Sequence, residues 1–392
     1  MTRRTVWLVL LVLGLYASVW GVHYCPTPQF DKSKHQLSQT TTPSPRPVMW
    51  DWIDTALLFA ALCAASWMAL KKRDRRWIAG LMIFSMLYFG FWRRGCVCPV
   101  GSISNIALAA ADSGYAVPLV VIAFFLLPLL FTLFFGRSFC GAVCPLGALQ
   151  DLFAIKPLRV PPAVEAGLRI FAYLYLVAAV LMAATGMSFL ICQYDPFVTL
   201  FRFNGRWIGW ILLVCFLAIS VVIARPYCRF LCPYGVILRN LSRLSKWHVM
   251  ITQEDCIRCR LCENACPFGA ISKPTKELPS TEYDKNKRRF MLFAALGPML
   301  AAGGGWLGGT VYPVIAQTTG MEESVQPLGM KVTIVAGIFI GIVITFKLVQ
   351  TVISRRREEY EINHADCIAC GRCFAYCPVE IKKRETATDG LH

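Results

Sequence analysis

Long apolar runs alternate with short basic loops along most of the chain. Each run approaches the roughly 18–20 apolar residues that cross about 30 Å of hydrocarbon. In lipid a segment must satisfy its backbone hydrogen bonds internally, so each run predicts one transmembrane helix. The pattern predicts an all-α polytopic membrane protein with about eight transmembrane helices, at 5–22, 52–70, 77–92, 116–135, 169–189, 207–224, 290–312 and 329–350.

The first run follows Thr2-Arg3-Arg4 and has the general form of a secretory signal. No clear cleavage site with small residues precedes His23-Tyr24-Cys25. We therefore expect this run to be a membrane anchor.

Composition agrees with the apolar pattern, since 56% of the 392 residues are hydrophobic and 16% are charged. A formal net charge of +17 could indicate a nucleic-acid partner. However, alternating eight spans from a cytoplasmic N-terminus places the main basic clusters on one side, as the positive-inside rule requires. These clusters lie at 3–4, 71–76, 225–246, 285–289 and 355–357. No basic stripe interleaved with aromatic residues is present. We expect membrane lipid as a partner and no nucleic acid, in a multi-pass protein of the bacterial cytoplasmic (inner) membrane with both termini in the cytoplasm.

Two of the cysteine runs have the spacing Cys-x2-Cys-x2-Cys-x3-Cys-Pro. This spacing is typical of bacterial ferredoxins, where three cysteines bind one cluster and the fourth binds the other. A zinc site more often uses two separated cysteine pairs. The sequence predicts two [4Fe-4S] clusters, one held by Cys256, Cys259, Cys262 and Cys377, the other by Cys367, Cys370, Cys373 and Cys266.

The two halves of this ferredoxin-like α+β domain are separated by two predicted spans. A hairpin of two spans leaves and returns on the same side of the membrane, so the halves can meet in the cytoplasm. We predict five regions: N-terminal helices with an outer linker, a repeat core, a first ferredoxin half, a hairpin and a second ferredoxin half, at 1–76, 77–247, 248–284, 285–354 and 355–392.

A second motif, Cys-x3-Cys-Pro-x-Gly, occurs twice at predicted cytoplasmic helix ends. Proline ends one element, glycine permits a sharp turn, and the next helix begins. A disulfide is disfavoured in a reducing compartment. The motif predicts a further iron–sulfur cluster at the inner membrane face, held by Cys140, Cys144, Cys228 and Cys232.

We call the two copies of this motif, Cys140 with Cys144 and Cys228 with Cys232, the twin turns. Followed by a ferredoxin run, they resemble the NosR/NapH-type membrane polyferredoxins, over roughly residues 80–270. The resemblance implies electron transfer between the membrane and periplasmic respiratory enzymes. It also implies redox function for the twin-turn and ferredoxin cysteines. The chain departs from the family in having no recognisable flavin-binding domain and in its additional N-terminal spans.

Cysteines also occur in the loops predicted to lie outside, and they suggest an internal repeat in which spans three and four resemble spans five and six. Two explanations of the outer cysteines compete. A second iron–sulfur cluster, at the outer membrane face, would extend an electron path from the inner cluster. The basic pair Arg93-Arg94 outside favours a local anion such as a cluster. Disulfides are the alternative, because the exterior is oxidising. The cysteines in question are Cys25, Cys96, Cys98 and Cys192, whereas Cys63 and Cys215 fall mid-span and are expected to be buried.

The leading functional hypothesis is an iron–sulfur conduit that carries electrons from a cytoplasmic donor across the membrane. The acceptor would be an extracytoplasmic flavoprotein, cytochrome or reductase. Alternatives are a quinone-linked electron-transfer subunit and a redox assembly factor for a metalloenzyme. The five histidines form no pair on facing spans, which argues against membrane haem.

Overall fold

The computed structural model describes residues 47–95, 97–112, 114–155, 157–186, 189–203, 207–251, 256–274, 280–319, 326–352, 357 and 359–389. The predicted anchor at 5–22 and the cysteines Cys25 and Cys96 lie outside these residues. The described chain is largely helical. It carries one small two-stranded sheet.

The first part of the helical core comprises five helices. Helices α1 and α2 each continue into a π-helical turn, as far as Lys72 and Trp92. A third π-helical turn, Phe139–Val143, carries Cys140. The helices are α1 (Val48–Trp67), α2 (Arg75–Ser85), α3 (Pro99–Ala111), α4 (Leu119–Phe135) and α5 (Pro145–Leu152).

The second part of the core has one long helix followed by short ones. Proline begins several of these helices, because its fixed φ suits the first helical position and its missing N–H needs no partner there. The helices are α6 (Pro162–Ala184), α7 (Leu190–Tyr194), α8 (Pro196–Arg202), α9 (Trp207–Ser220), α10 (Pro226–Phe230) and α11 (Pro233–Leu241).

The ferredoxin region is assembled from both sides of a long helical hairpin. Strand β1 pairs antiparallel with β2, and Ile271 lies opposite Ile362. Helices α12 and α15, one from each half, also pack against each other. The elements are α12 (Leu261–Ala265), β1 (Ile271–Ser272), α13 (Ser280–Thr319), α14 (Gln326–Val352), β2 (Glu361–Ile362), α15 (Arg372–Ala375) and α16 (Pro378–Asp389).

The hairpin of α13 and α14 is held by close backbone contact. A Cβ atom on Gly304 would lie 2.1 Å from the carbonyl oxygen of Gly337, and one on Gly341 would lie 2.2 Å from that of Leu300. Small residues at such contacts let two membrane helices approach closely. Only 6% of the apolar window in each helix is buried, so most of the hairpin surface is free to face lipid.

Four helical segments in the described chain are long and apolar enough to cross a membrane: Val48–Lys72, Val164–Ala184, Asn286–Pro313 and Gly329–Val349. They correspond to four of the eight predicted spans. The spans predicted at 77–92, 116–135 and 207–224 correspond to shorter helices, and α9 is bent by 108° from α8. The mid-span cysteines Cys63 and Cys215 are exposed on their helices, so the expectation that they are buried is wrong.

Candidate iron–sulfur sites

The two ferredoxin loops have matching backbone conformations. In each, the residues before and after the middle cysteine have positive φ: Arg258 and Arg260 flank Cys259, and Ala369 and Gly371 flank Cys370. This left-handed conformation is uncommon for non-glycine residues, and strained residues of this kind cluster at functional sites. Here it turns the chain back around a common centre. The three cysteines of each run can therefore face the same volume.

The first cysteine set lines one pocket. Three members come from the first half, and Cys377 arrives from the second half immediately before α16. The spacing predicted this crossover, and β1–β2 pairing brings the two halves together. The cavity is lined by Cys256, Cys259, Cys262 and Cys377, among other residues.

The second set combines Cys266 with the run that contains Cys367, Cys370 and Cys373, and the charges of these cysteines interact with one another. Burial raises the pKa of the Cys367 thiol to about 12. A metal ion that binds such a thiol removes its proton outright. The donor set therefore fits an iron–sulfur cluster, with soft sulfur as its ligands.

The twin turns present their second cysteines at helix starts. Cys144 directly precedes α5 and Cys232 directly precedes α11, each followed by proline. The Gly235 N–H donates a hydrogen bond to the Cys232 sulfur at 3.3 Å. A side chain at Gly147 or Gly235 would crowd the carbonyl of the first cysteine of a turn, at 3.2 and 3.1 Å respectively. Glycine is needed in the motif because the backbone approaches so closely.

The four twin-turn cysteines converge. The Cys144 thiol hydrogen-bonds to Cys228, and Gln150 donates an amide N–H to the Cys228 sulfur at 3.2 Å. The hydrogen bond from Cys144 lowers the pKa of Cys228, and nearby Arg225 lowers it further, although burial opposes both. Such donors stabilise thiolate charge, and hydrogen bonds to sulfur tune a bound cluster. Cys140, Cys228 and Cys232 line one cleft.

The ferredoxin domain rests directly on the first twin turn. A Cβ on Gly141 would lie 2.1 Å from the Ile368 carbonyl oxygen, so the loop of Cys367 and Cys370 touches the backbone beside Cys140. Arg75 donates to the Cys370 carbonyl at 2.9 Å, and Arg137 donates to the Ala365 carbonyl at 3.1 Å. The second ferredoxin set and the twin-turn set are therefore neighbours.

A buried ion network reinforces this contact. Asp151 pairs with Arg75 at 3.1 Å, with Arg372 at 2.9 Å and with Arg225 at 3.5 Å. Burial alone would raise the pKa of Asp151, but the three guanidinium groups hold it well below its usual range. Arg225 is 2% exposed and also donates to the Cys140 carbonyl. The network joins both cysteine sets to one carboxylate.

Within the described residues no three histidine, cysteine or acidic side chains lie close enough to hold one metal ion. A cubane differs from a single ion because each cysteine binds a different iron corner. The sulfurs around a cubane are accordingly spread over a larger volume. The cysteine sets fit a cluster better than a single ion, and clusters of this type are bound by four thiolates.

Of the outer cysteines, Cys98 and Cys192 are described. Cys98 precedes α3, and the Cys192 sulfur would lie 3.5 Å from a Cβ on Gly101 in the first turn of that helix. The repeat predicted Cys98 and Cys144 on opposite membrane faces. The structure places both in the wall of one small pocket. Helix α3 explains the difference, because α3 and α4 pack together and return the chain after Cys98 toward Cys144.

Two outer features differ from the expectations. Arg93 pairs with Asp54 and, at 3.4 Å, with Asp51, so its charge does not indicate a cluster. Asp195, which the sequence analysis passed over, is 2% exposed and close enough to Cys98 for their charges to interact. An Asp-Pro pair before a helix, matching the Cys-Pro pairs, was the signal that could have found it.

Comparison with known proteins matches these regions. Residues 117–160 and 205–251 match one family described as a 4Fe-4S binding domain, and residues 249–272 and 360–383 match a second family with the same description. No solved structure matches the chain.

Several curated proteins are similar. "Uncharacterized protein MJ0750" of Methanocaldococcus jannaschii is 31% identical over 205 residues, which are 50% of this chain and 82% of that protein. "Protein NirI" of Paracoccus denitrificans is 35% identical over 36% of this chain and 22% of its own length. "Ferredoxin-type protein NapH" of Haemophilus influenzae is 31% identical over 35% of this chain and 49% of its own length. The alignments thus cover under half of NirI and NapH.

The matched segments contain both twin turns and both ferredoxin runs. The similar proteins include the ferredoxin-type protein NapH and the NosR and NirI proteins. The chain therefore belongs to the NosR/NapH-type family of ferredoxin-type 4Fe-4S membrane proteins.

Proposed function

We propose that this iron–sulfur membrane protein carries electrons from a cytoplasmic donor, across the membrane, to an extracytoplasmic redox partner. Three cysteine sets would hold [4Fe-4S] clusters: the two ferredoxin sets and the twin-turn set. When bound, such clusters supply one-electron transfer, while the protein sets their spacing, hydrogen bonding and solvent exposure.

The observation that carries the proposal is the seating of the Cys367–Cys373 loop on the first twin turn. Backbone contact at Gly141 leaves no room for a side chain or a water layer between the two sets. Three arginines and Asp151 hold the contact in place. The cysteine sets follow one another from the exposed loop of Cys259 to the buried Cys144.

Charge supports the cytoplasmic placement of the ferredoxin domain. Arg73 and Arg75, from the basic cluster that follows α1, contact Glu380 and the Cys370 carbonyl. The domain therefore lies on the same side as this cluster. Basic residues favour the cytoplasmic side of membrane proteins.

The arginines near the twin turns have a second consequence. Arg137 lies 3.8 Å from the Cys140 sulfur, and Arg225 lies close enough to Cys228 for their charges to interact. A set of four thiolates and a cluster is anionic, and burying it is costly unless positive charge compensates. The two guanidinium groups offset that charge.

The proposal is tested in inside-out membrane vesicles loaded with ferricyanide, with dithionite added outside as the impermeant reductant at the cytoplasmic face. Wild-type vesicles should reduce the enclosed ferricyanide. The double variant C140S/C228S should lose this flux and keep the electron paramagnetic resonance (EPR) signals of both ferredoxin sets. Equal flux in the two preparations would contradict the proposed path. Recovery of flux only with added quinone would favour the quinone-linked alternative.

A further inference from the structure

The two ferredoxin loops match position by position, but they have different surroundings. Counting from the first cysteine of each run, Ile257 corresponds to Ile368 and Leu261 corresponds to Arg372. The second loop is covered, since Ile368 is 6% exposed and its carbonyl meets Gly141 beside the first twin turn. In the first loop, Ile257 and Leu261 are 65% and 46% exposed. One face of the ferredoxin domain is therefore docked on the core, and the matching face is open.

We propose that the open face is the docking surface for a small acidic one-electron carrier protein, which donates electrons in the cytoplasm. The inference rests on the proposed function, because it names the class of partner that delivers electrons to the first cysteine set. We call this surface the entry face. It consists of Ile257, Arg258, Arg260, Leu261 and Tyr376.

The docked loop shows what such a face requires from its partner. Arg372 of that loop pairs with the buried carboxylate of Asp151 at 2.9 Å. A Cβ atom on Gly371 would lie 2.9 Å from the Ile78 side chain, so the loop also packs against an apolar group. The partner of the docked loop thus supplies a carboxylate for an arginine and an apolar side chain for the loop.

The entry face presents two arginines to a partner. Arg258 and Arg260 are exposed on either side of the exposed middle cysteine, and neither forms an ion pair with another described residue. Glu263 in α12 pairs instead with Arg159, at 3.5 Å. The acidic pair Glu254-Asp255, which precedes the loop, lies outside the described part of the chain. The two exposed guanidinium groups therefore favour a partner that carries carboxylates.

The entry face also presents apolar and aromatic surface at the exposed end of the first cysteine set. Tyr376 is 59% exposed and directly precedes Cys377, which lines one pocket with Arg258 and Arg260. Of the eight ferredoxin cysteines, all of them described, only Cys259 is exposed. Tyrosine and arginine are enriched at protein interfaces. Redox encounters between proteins use small interfaces, so a few such side chains suffice.

Anionic lipid is the competing occupant of the entry face, because lipid headgroups also attract arginine. A lipid headgroup supplies no electron, however, and the entry face surrounds the exposed cysteine of the first set. Complementary charge raises the encounter rate of two proteins, whereas like charges at the contact suppress it. An acidic electron carrier therefore fits both the charge and the position of this face.

The experiment uses the ferricyanide-loaded inside-out vesicles with two reductants. Dithionite is small and needs no docking surface. The second reductant is an acidic bacterial two-cluster [4Fe-4S] ferredoxin, reduced beforehand and freed of dithionite. Each ferredoxin cluster that is oxidised releases one electron and each enclosed ferricyanide ion accepts one, so no further reactant is needed. The measured quantity is the ratio of ferredoxin-driven flux to dithionite-driven flux.

The wild type should accept electrons from the ferredoxin, and the ratio should fall as ionic strength rises. This salt dependence reports the net charge of the surface, with Glu254 and Asp255 included. R258E/R260E should lower the ratio at least about tenfold at low salt and reverse the salt dependence. R258K/R260K keeps both charges and should preserve the salt dependence.

Two further variants separate apolar contact from charge. I257S/L261S should lower the ratio at low and high salt alike, because it removes apolar contact and leaves the charge unchanged. K246E is the matched control for a single charge reversal, since Lys246 is exposed over the Trp247 ring and lies outside the entry face. K246E should leave the ratio unchanged.

Wild-type vesicles that respond to dithionite but not to the ferredoxin would overturn the inference, while the proposed function stands. Equal ratios in R258E/R260E and the wild type, or a wild-type ratio that does not change with salt, would also overturn it, as expected if lipid covers the entry face. Wild-type vesicles that respond to neither reductant would count against the proposed function and, with it, against this inference.

Discussion

Gly141 is the point at which the ferredoxin loop meets the twin turn, and replacing it by alanine tests that contact. The new Cβ would lie 2.1 Å from the Ile368 carbonyl oxygen and 3.1 Å from that of Ala369. Both neighbours are backbone atoms, so a rotamer change cannot relieve the clash. The loop must retreat by about 1 Å to reach a normal contact. Overpacking of this kind costs about 1–3 kcal/mol.

The expected result is a local loss of docking. A cost of about 1–3 kcal/mol lowers the docking equilibrium about 5- to 150-fold. Amide hydrogen exchange in residues 365–373 measures local opening directly and should accelerate by that factor in G141A. Glycine to alanine otherwise stabilises a helical position by about 0.5–1 kcal/mol, so the predicted sign is opposite to the intrinsic preference.

Gly80 supplies the matched control, because a Cβ there meets no atom within 4 Å. Gly80 lies on α2, the helix whose Ile78 side chain lies beside Gly371 of the ferredoxin domain. It should leave exchange in the loop unchanged. Equal exchange rates in G141A, G80A and wild type would refute the reasoning that this contact holds the loop on the twin turn.

Three further predictions follow from the same contacts. C377A should remove the cluster held by Cys256, Cys259 and Cys262, with a loss of about four iron atoms and the EPR signal of the other ferredoxin cluster retained. Loss of that other EPR signal instead would disprove the crossover. Q150L removes the 3.2 Å hydrogen bond to the Cys228 sulfur and should lower the twin-turn midpoint potential by about 20–60 mV in a redox titration; an unchanged potential would show that this bond does not tune it. Because the pKa of Asp151 is held below its usual range, its ion pairs contribute fully above about pH 5 and are lost as pH falls through that lowered pKa. The protection of residues 365–373 against amide hydrogen exchange, corrected for intrinsic exchange, should be constant from about pH 5 to 8 and reduced throughout this range in D151N. A change in protection with its midpoint near neutrality would contradict the lowered pKa of Asp151.

The ferredoxin pairing could be predicted because the spacing of the cysteines carries most of the information. The run that ends in Cys266 and the run that ends in Cys377 each place a fourth cysteine beyond reach of its own three. The structure adds the means of crossing, a two-residue strand in each half, with Ile271 opposite Ile362. Strands this short leave no periodic pattern in the sequence.

Helix α3 could not be predicted in the same way. Its 13 residues are too few for a span, and the sequence analysis therefore placed residues 93–115 in an outer loop. The position of Cys98 relative to Cys144 depends on this helix. A short apolar helix that returns beside α4 depends on tertiary packing that no window of the sequence reports.

The roles of Arg93 and Asp195 depended on long-range contacts. Arg93 lies 42 residues from its partner Asp51, and nothing local to either residue specifies that pair. Asp195 does carry a local signal, the proline that follows it. The predicted repeat instead pairs Cys98 with Cys192, three positions before Asp195.

The central claim is that the twin turns hold a cluster in contact with the ferredoxin sets. Iron and sulfide analysis with EPR on anaerobically purified wild type and C140S/C228S tests it most directly. We predict about 12 iron atoms per chain, or about 16 if the outer cysteines also hold a full cubane. The double variant should lose about four of them and one EPR component, with both ferredoxin components unchanged. About 8 iron atoms in both proteins, with all four twin-turn thiols free to react in the unfolded wild type, would contradict the claim.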